Sequence, residues 1–154
     1  MNKHFPAIEL NAAGMRFAIV VSRFNAELTA QLAGDAETCL QENGAAEIKI
    51  FQVPGAYEIP VVINELAKTG GFDALIALGV VVEGETPHAQ MIGESTGLAL
   101  LDIAREYGVP VINEIVGTRN WEQAAARCTS SRTSRGWYAA EAAIETAGVM
   151  KQLK

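Results

Sequence analysis

Three short segments combine polar, aromatic and acidic residues in ways that an ordinary helix or strand does not require. They are residues 22–25 (Ser-Arg-Phe-Asn), 53–60 (Val-Pro-Gly-Ala-Tyr-Glu-Ile-Pro) and 83–88 (Glu-Gly-Glu-Thr-Pro-His). Each follows an apolar run of strand length. Together they offer an aromatic ring for stacking, a carboxylate that can accept hydrogen bonds from hydroxyl groups, and an imidazole for proton transfer.

The second segment predicts a turn followed by a helix. Pro54 and Gly55 favour a turn, and Pro60 fits only the first turn of a helix, so the helix should begin within residues 56–59. Glu58 then lies beside free backbone N–H groups. Such a carboxylate either complements the helix dipole or accepts hydrogen bonds from ligand hydroxyls, and both interpretations stay open.

The third segment predicts a helix start with Thr86 as N-cap and Pro87 at the first helical position. Free N–H groups there indicate a phosphate site, with the side chain of Glu85 pointing away. The positive helix end favours a neutral His88 that can accept a proton, although a first-turn histidine more often packs or faces water. Phe24, similarly, either contacts a ligand or packs on its own helix.

Apolar strand-like runs alternate with helical periodicity along the chain. We predict strands at residues 16–22, 47–53, 73–82 and 109–116, and helices at 26–42, 57–68, 87–107, 120–128 and 136–151. This alternation predicts an α/β fold with a four-stranded parallel sheet and helices on both faces. All three segments then meet at the carboxyl edge of the sheet. Residues 16–154 form one domain, and residues 1–15 are a tail or a segment that pairs with a neighbouring subunit.

Composition narrows the class of protein. The net charge of −6 argues against nucleic acid and anionic membranes as partners, and no apolar run reaches the length of a membrane span. Residues 1–6 lack a signal-peptide core, so we expect a cytoplasmic protein. The two cysteines and two histidines predict neither a disulfide framework nor a histidine-rich metal site. Residues 119–135 carry four arginines against one glutamate, which indicates either a small-anion site or a solvated helix face.

From about residue 16 to residue 151 the chain resembles the lumazine synthases. The resemblance rests on Arg23-Phe24-Asn25, on residues 53–60, on Gly84-x-Thr86-x-His88, and on Glu122-Gln123-Ala124 with Arg127. It implies a three-layer flavodoxin-like sandwich. It also implies condensation of 5-amino-6-(D-ribitylamino)uracil with 3,4-dihydroxy-2-butanone 4-phosphate, with no metal or organic cofactor. The family forms pentamers or sixty-subunit shells with active sites between adjacent subunits.

The same resemblance assigns roles by position. Phe24, beside Asn25, would stack on the pyrimidine, backbone groups of Val80, Val81 and Val82 would bind its edge, and His88 would transfer protons. The ribityl chain would lie against Ala56, Tyr57 and Glu58. Glu85, Thr86 and Arg127 would hold the phosphate, and Asn113 would cover the heterocycle from the adjacent subunit.

Several positions depart from the family pattern. Asn113 and Glu114 replace an aromatic residue and a glycine, and Glu83 replaces an arginine. Ser131 replaces a basic residue, for which the adjacent Arg132 could substitute. Residues 89–91 are Ala-Gln-Met, not aromatic-acidic-aromatic. These changes leave open a second hypothesis, a non-catalytic relative that binds a flavin or ribityl compound or forms a shell. A flavodoxin-like electron carrier fits less well, because the first strand is not followed by a hydroxyl-rich phosphate loop.

Overall fold

A computed structural model of the chain describes residues 4–84, 87–129 and 131–154. Its four strands are β1 (Arg16–Ser22), β2 (Glu47–Val53), β3 (Ala74–Val82) and β4 (Val111–Thr118). They form one parallel sheet in the order β2-β1-β3-β4. Its α-helices are α1 (Ala26–Glu42), α2 (Ile59–Thr69), α3 (His88–Tyr107), α4 (Trp121–Cys128) and α5 (Arg135–Gln152). The predicted α/β fold is confirmed as a three-layer flavodoxin-like arrangement.

Alternating side chains of the sheet supply two apolar cores. Phe17, Ile19 and Val21 of β1 pack toward α1, α4 and α5, whereas Ala18 and Val20 pack toward α2 and α3. Strands buried on both faces read as continuous apolar runs, which explains why β1 and β3 were recognisable in the sequence. The two cores place helices on both faces of the sheet.

The predicted bounds of β1, α1 and β2 agree with the structure residue for residue, while β4 is displaced. It was predicted at residues 109–116 but runs Val111–Thr118. Pro110 has no N–H to donate, and its carbonyl instead accepts a hydrogen bond from the Leu75 N–H at 2.9 Å. The strand therefore starts after the proline, and its pairing with β3 continues as far as Thr118, which lies opposite Val82.

The N-terminal segment packs partly on its own chain. Ala12 and Met15 are buried, and Ala13 forms an antiparallel bridge with Ala45. Phe5 and Ile8, in contrast, are 96% and 58% exposed. Leu10 packs against the core, and the division at residues 15 and 16 remains a prediction.

None of the helices in the described part of the chain is long and apolar enough to cross a membrane.

Candidate active site

A cavity of about 700 Å³ opens at the carboxyl edge of the sheet, on the face covered by α2 and α3. Its volume lies within the range of small-molecule sites, which is about 300–1,000 Å³. The ends of β1, β2 and β3 supply its walls, as parallel topology requires. It is lined by Phe24, Gly55, Ala56, Tyr57, Glu58, Val80, Val81, Val82, Gly84, His88, Ala89, Met91, Ile92 and Ser95.

The turn after β1 is fixed by its neighbours on both sides. Asn25 adopts a left-handed conformation with φ of 63°, which asparagine tolerates better than most residues. Its side-chain amide donates a hydrogen bond to the carbonyl of Val80 at 2.8 Å. The N–H of Phe24 donates to the carbonyl of Pro54 at 3.0 Å. Asn25 does not line the cavity; it holds the turn that presents the 71% exposed ring of Phe24.

Glu58 lies in a single 3₁₀ turn, Ala56–Glu58, directly before α2. The sequence predicted an acidic residue at a helix start but not this tighter turn. The Glu58 carboxylate accepts a hydrogen bond from the Gly55 N–H at 2.8 Å. This bond closes the turn and uses one of about four lone-pair sites of the carboxylate, so Glu58 keeps capacity for ligand hydroxyls.

His88 is the first residue of α3 and lines the cavity. Pro87 occupies the N-cap rather than the first helical position, a difference of one residue. The other predicted phosphate contacts, Glu85 and Thr86, lie outside the described residues. The cavity therefore combines an aromatic ring, a carboxylate, the end of strand β3 and an imidazole.

Two predicted site residues lie away from this cavity. Arg127 is on α4, which packs on the opposite face of the sheet, and its guanidinium donates to the carbonyl of Gln123 at 3.0 Å. Asn113 is exposed on edge strand β4, where its side-chain oxygen accepts a hydrogen bond from the Ile115 N–H at 3.1 Å. Neither residue lines the cavity of its own chain.

Arg132 and Arg135 are bound to carboxylates of other described residues. Arg135 donates to both oxygens of the largely buried Glu114 at 2.7 and 3.1 Å, and this pairing raises the pKa of the arginine. Arg132 donates to both oxygens of Glu42 at 2.8 and 3.1 Å and stacks on Trp137. Arg132 therefore has a carboxylate partner within its own chain, and whether it substitutes for the basic residue replaced by Ser131 stays open.

The cysteines contribute no chemistry to this cavity. Cys39 and Cys128 are buried, and burial raises the pKa values of their thiols to about 12 and about 11. No group of three or more His, Cys, Asp or Glu residues within the described ranges is arranged to hold a metal ion.

The parallel sheet and the cavity at its carboxyl edge define an α/β protein with a candidate small-molecule site. Comparison with known proteins specifies the class. Residues 14–151 match the family model for 6,7-dimethyl-8-ribityllumazine synthase, and the chain belongs to this family of transferases in riboflavin synthesis.

Curated relatives with that name match nearly the whole chain. The protein of Desulfatibacillum aliphaticivorans is 38% identical over 147 residues, which cover 94% of this chain and 95% of the relative. The protein of Pyrococcus furiosus is 39% identical over 140 residues, covering 91% and 88%. The protein of Chlorobaculum tepidum is 38% identical over 146 residues, covering 94% of each chain.

Proposed function

We propose that this chain condenses 5-amino-6-(D-ribitylamino)uracil with 3,4-dihydroxy-2-butanone 4-phosphate to give 6,7-dimethyl-8-ribityllumazine. The observation that carries the proposal is the convergence of Phe24, Glu58 and His88, from three separate strand ends, on one cavity. The amine attacks the ketone and water leaves, phosphate is then eliminated, and ring closure releases a second water.

Different residues of this cavity bind different parts of the two substrates. Phe24 stacks on the pyrimidine, and the backbone of Val80, Val81 and Val82 binds its edge. Ala56, Tyr57 and Glu58 hold the ribityl chain, and His88 transfers protons between intermediates. Holding two reactive substrates together provides much of the rate enhancement, and His88 adds acid–base assistance.

We further propose that the working unit is a homo-oligomer, either a pentamer or a sixty-subunit shell, with sites shared between adjacent subunits. The position of Arg127 and Asn113 outside their own chain's cavity supports this arrangement, because a neighbour could present them instead. In it, Arg127 would bind the phosphate together with Glu85 and Thr86. The predicted cytoplasmic location stays a prediction.

The activity assay is the direct test. Purified protein should form lumazine from the two substrates faster than the spontaneous reaction, and His88→Ala should slow turnover by about 10²-fold, the lower range for general acid–base catalysis. Gln90→Ala is the matched control, since Gln90 is exposed, does not line the cavity and pairs with Glu94 at 3.0 Å. Its rate should equal that of the unmodified protein.

A non-catalytic binding protein is the second candidate, favoured by Asn113 in place of an aromatic residue and by the engagement of Arg132 with Glu42. It predicts tight binding of riboflavin or lumazine without turnover. Fluorescence titration alongside the assay separates the two candidates: binding without any acceleration would overturn the enzyme proposal.

A further inference from the structure

The cavity continues beyond His88 along the first two turns of α3. We define this part as the α3 lobe, lined by Ala89, Met91, Ile92 and Ser95. Three of these side chains are apolar. The hydroxyl of Ser95 donates to the carbonyl of Met91 in its own helix, so its proton is not directed to a ligand. The lobe is thus suited to a hydrocarbon group rather than to hydroxyls or phosphate.

Ala89 limits how far the lobe extends beside the imidazole. It directly follows His88, is half-buried and contributes only a methyl group to the wall. The next residue, Gln90, is exposed and bonds to Glu94, outside the cavity wall. A larger side chain at position 89 would occupy space that is open here, whereas the same change at position 90 would not.

The proposed positions of the substrates leave one substrate group to occupy the α3 lobe, the alkyl group on the ketone. The ribityl chain and the pyrimidine are held by residues 56–58 and by Phe24 with the end of β3, while His88 acts at the condensing carbonyl. The alkyl group attached to that carbonyl is then the apolar part of the substrates closest to the lobe.

We propose that the α3 lobe binds the alkyl group on the ketone of the second substrate and that Ala89 determines the length accepted. This inference rests on the proposed function and names a wider substrate class: keto phosphates with ethyl in place of methyl beside the carbonyl. The bonds formed and broken are unchanged. The amine nitrogen adds to the carbonyl carbon, two waters and one phosphate leave, and the product is 6-ethyl-7-methyl-8-ribityllumazine.

The test compares kcat/KM for the methyl and ethyl ketones in the unmodified protein, Ala89→Phe and the matched control Gln90→Phe. One additional buried methylene is worth up to about fourfold, so the unmodified protein should use the ethyl ketone at least as well as the methyl ketone. Ala89→Phe should lower the ethyl-to-methyl ratio at least about tenfold, and Gln90→Phe should not change it. The smaller substitution Ala89→Val should give an ethyl-to-methyl ratio between those of the unmodified protein and Ala89→Phe. It keeps the test decisive if Ala89→Phe fails to fold.

A binding measurement separates this inference from the proposed function. The 6-ethyl-7-methyl and 6,7-dimethyl lumazines are titrated by fluorescence into the same proteins, without turnover. If Ala89→Phe loses the preference for binding the ethyl lumazine, but no protein forms lumazine from either ketone, only the proposed function is overturned. An active enzyme whose ethyl-to-methyl ratio is the same in all variants overturns the role of Ala89.

Discussion

Glu58 combines a structural and a ligand-binding task in one side chain. Its carboxylate closes the Ala56–Glu58 turn through the 2.8 Å hydrogen bond from Gly55, and it also lines the cavity. Any side chain at position 55 would crowd it, because a Cβ on Gly55 would lie 3.0 Å from the Glu58 oxygen. The turn and the proposed ribityl contact therefore depend on the same pair of residues.

Glu58→Gln should separate these tasks. Glutamine keeps an acceptor for the Gly55 N–H but loses the charge, and charged hydrogen bonds are worth about 1 kcal/mol more than neutral ones. We expect KM for the ribitylaminouracil to rise roughly fivefold and KM for the butanone phosphate to stay constant. Steady-state kinetics with Glu65→Gln, an exposed position on α2, provide the control. Equal changes in both KM values would contradict a ribityl-specific role.

Individual residue roles were only partly readable from the sequence. Phe24, Glu58 and His88 stand out because strand ends and helix starts place them predictably. The hydrogen bond from the side chain of Asn25 to the Val80 carbonyl was not anticipated, and a substrate contact by Asn25 stays a prediction. The Glu114–Arg135 and Glu42–Arg132 pairs join residues 21 and 90 positions apart, and no local pattern predicts such tertiary pairing.

Helices α1 and α5 pack closely together, and Gly136 permits this approach. A Cβ on Gly136 would lie 2.8 Å from the Cα of Leu32 and closer still to the Leu32 carbonyl oxygen. Ser134 reinforces the contact by donating to Asp35 at 2.6 Å and accepting from the Trp137 N–H at 3.2 Å. This junction holds α5 against the apolar core that it shares with β3 and β4.

Gly136→Ala should destabilise the protein by at least about 2 kcal/mol, because backbone must move to admit the methyl group. Gly148→Ala in the same helix is the control: nothing lies within 4 Å of its added Cβ, so the change should be neutral or stabilising by up to about 1 kcal/mol. Urea unfolding at one fixed protein concentration measures both values. Equal stabilities of the two variants would refute the proposed close contact.

Element boundaries followed from local signals wherever those signals were strong. Asn43-Gly44 ends α1 where expected, and the apolar run of β3 is unmistakable. The 3₁₀ turn before α2 and the displaced start of β4 were not anticipated, because both depend on hydrogen bonds to particular neighbours. For β4 the deciding bond runs between Leu75 and Pro110.

At the scale of the whole molecule, the site that we propose is incomplete in a single chain. The cavity holds Phe24, Glu58 and His88, whereas Arg127 lies on the opposite face of the sheet. The folded chain could be predicted from its own sequence, but the placement of Arg127 relative to a neighbour could not, since helical periodicity carries no information about a partner's position.

Mixing two impaired variants tests whether the site is shared. His88→Ala and Arg127→Ala subunits, dissociated together in mild denaturant and reassembled, should recover up to about one quarter of normal activity. In a ring of head-to-tail interfaces, that fraction of sites pairs an intact His88 with an intact Arg127. Each variant reassembled alone is the control. Mixtures no more active than the average of the two controls would show that Arg127 does not act across an interface.

The exposed edge of strand β2 affects how a newly synthesised chain avoids aggregation. Strand β2 is an edge strand whose Ile50 and Phe51 are 38% and 37% exposed on opposite faces of the sheet, beside backbone groups along its free edge. Lys49, paired with Glu47 at 3.4 Å, is the kind of charged residue that discourages misdirected pairing. If the proposed oligomer covers this edge with another strand, aggregation should compete with assembly beforehand, and the outcome should depend on how quickly partner subunits are synthesised nearby.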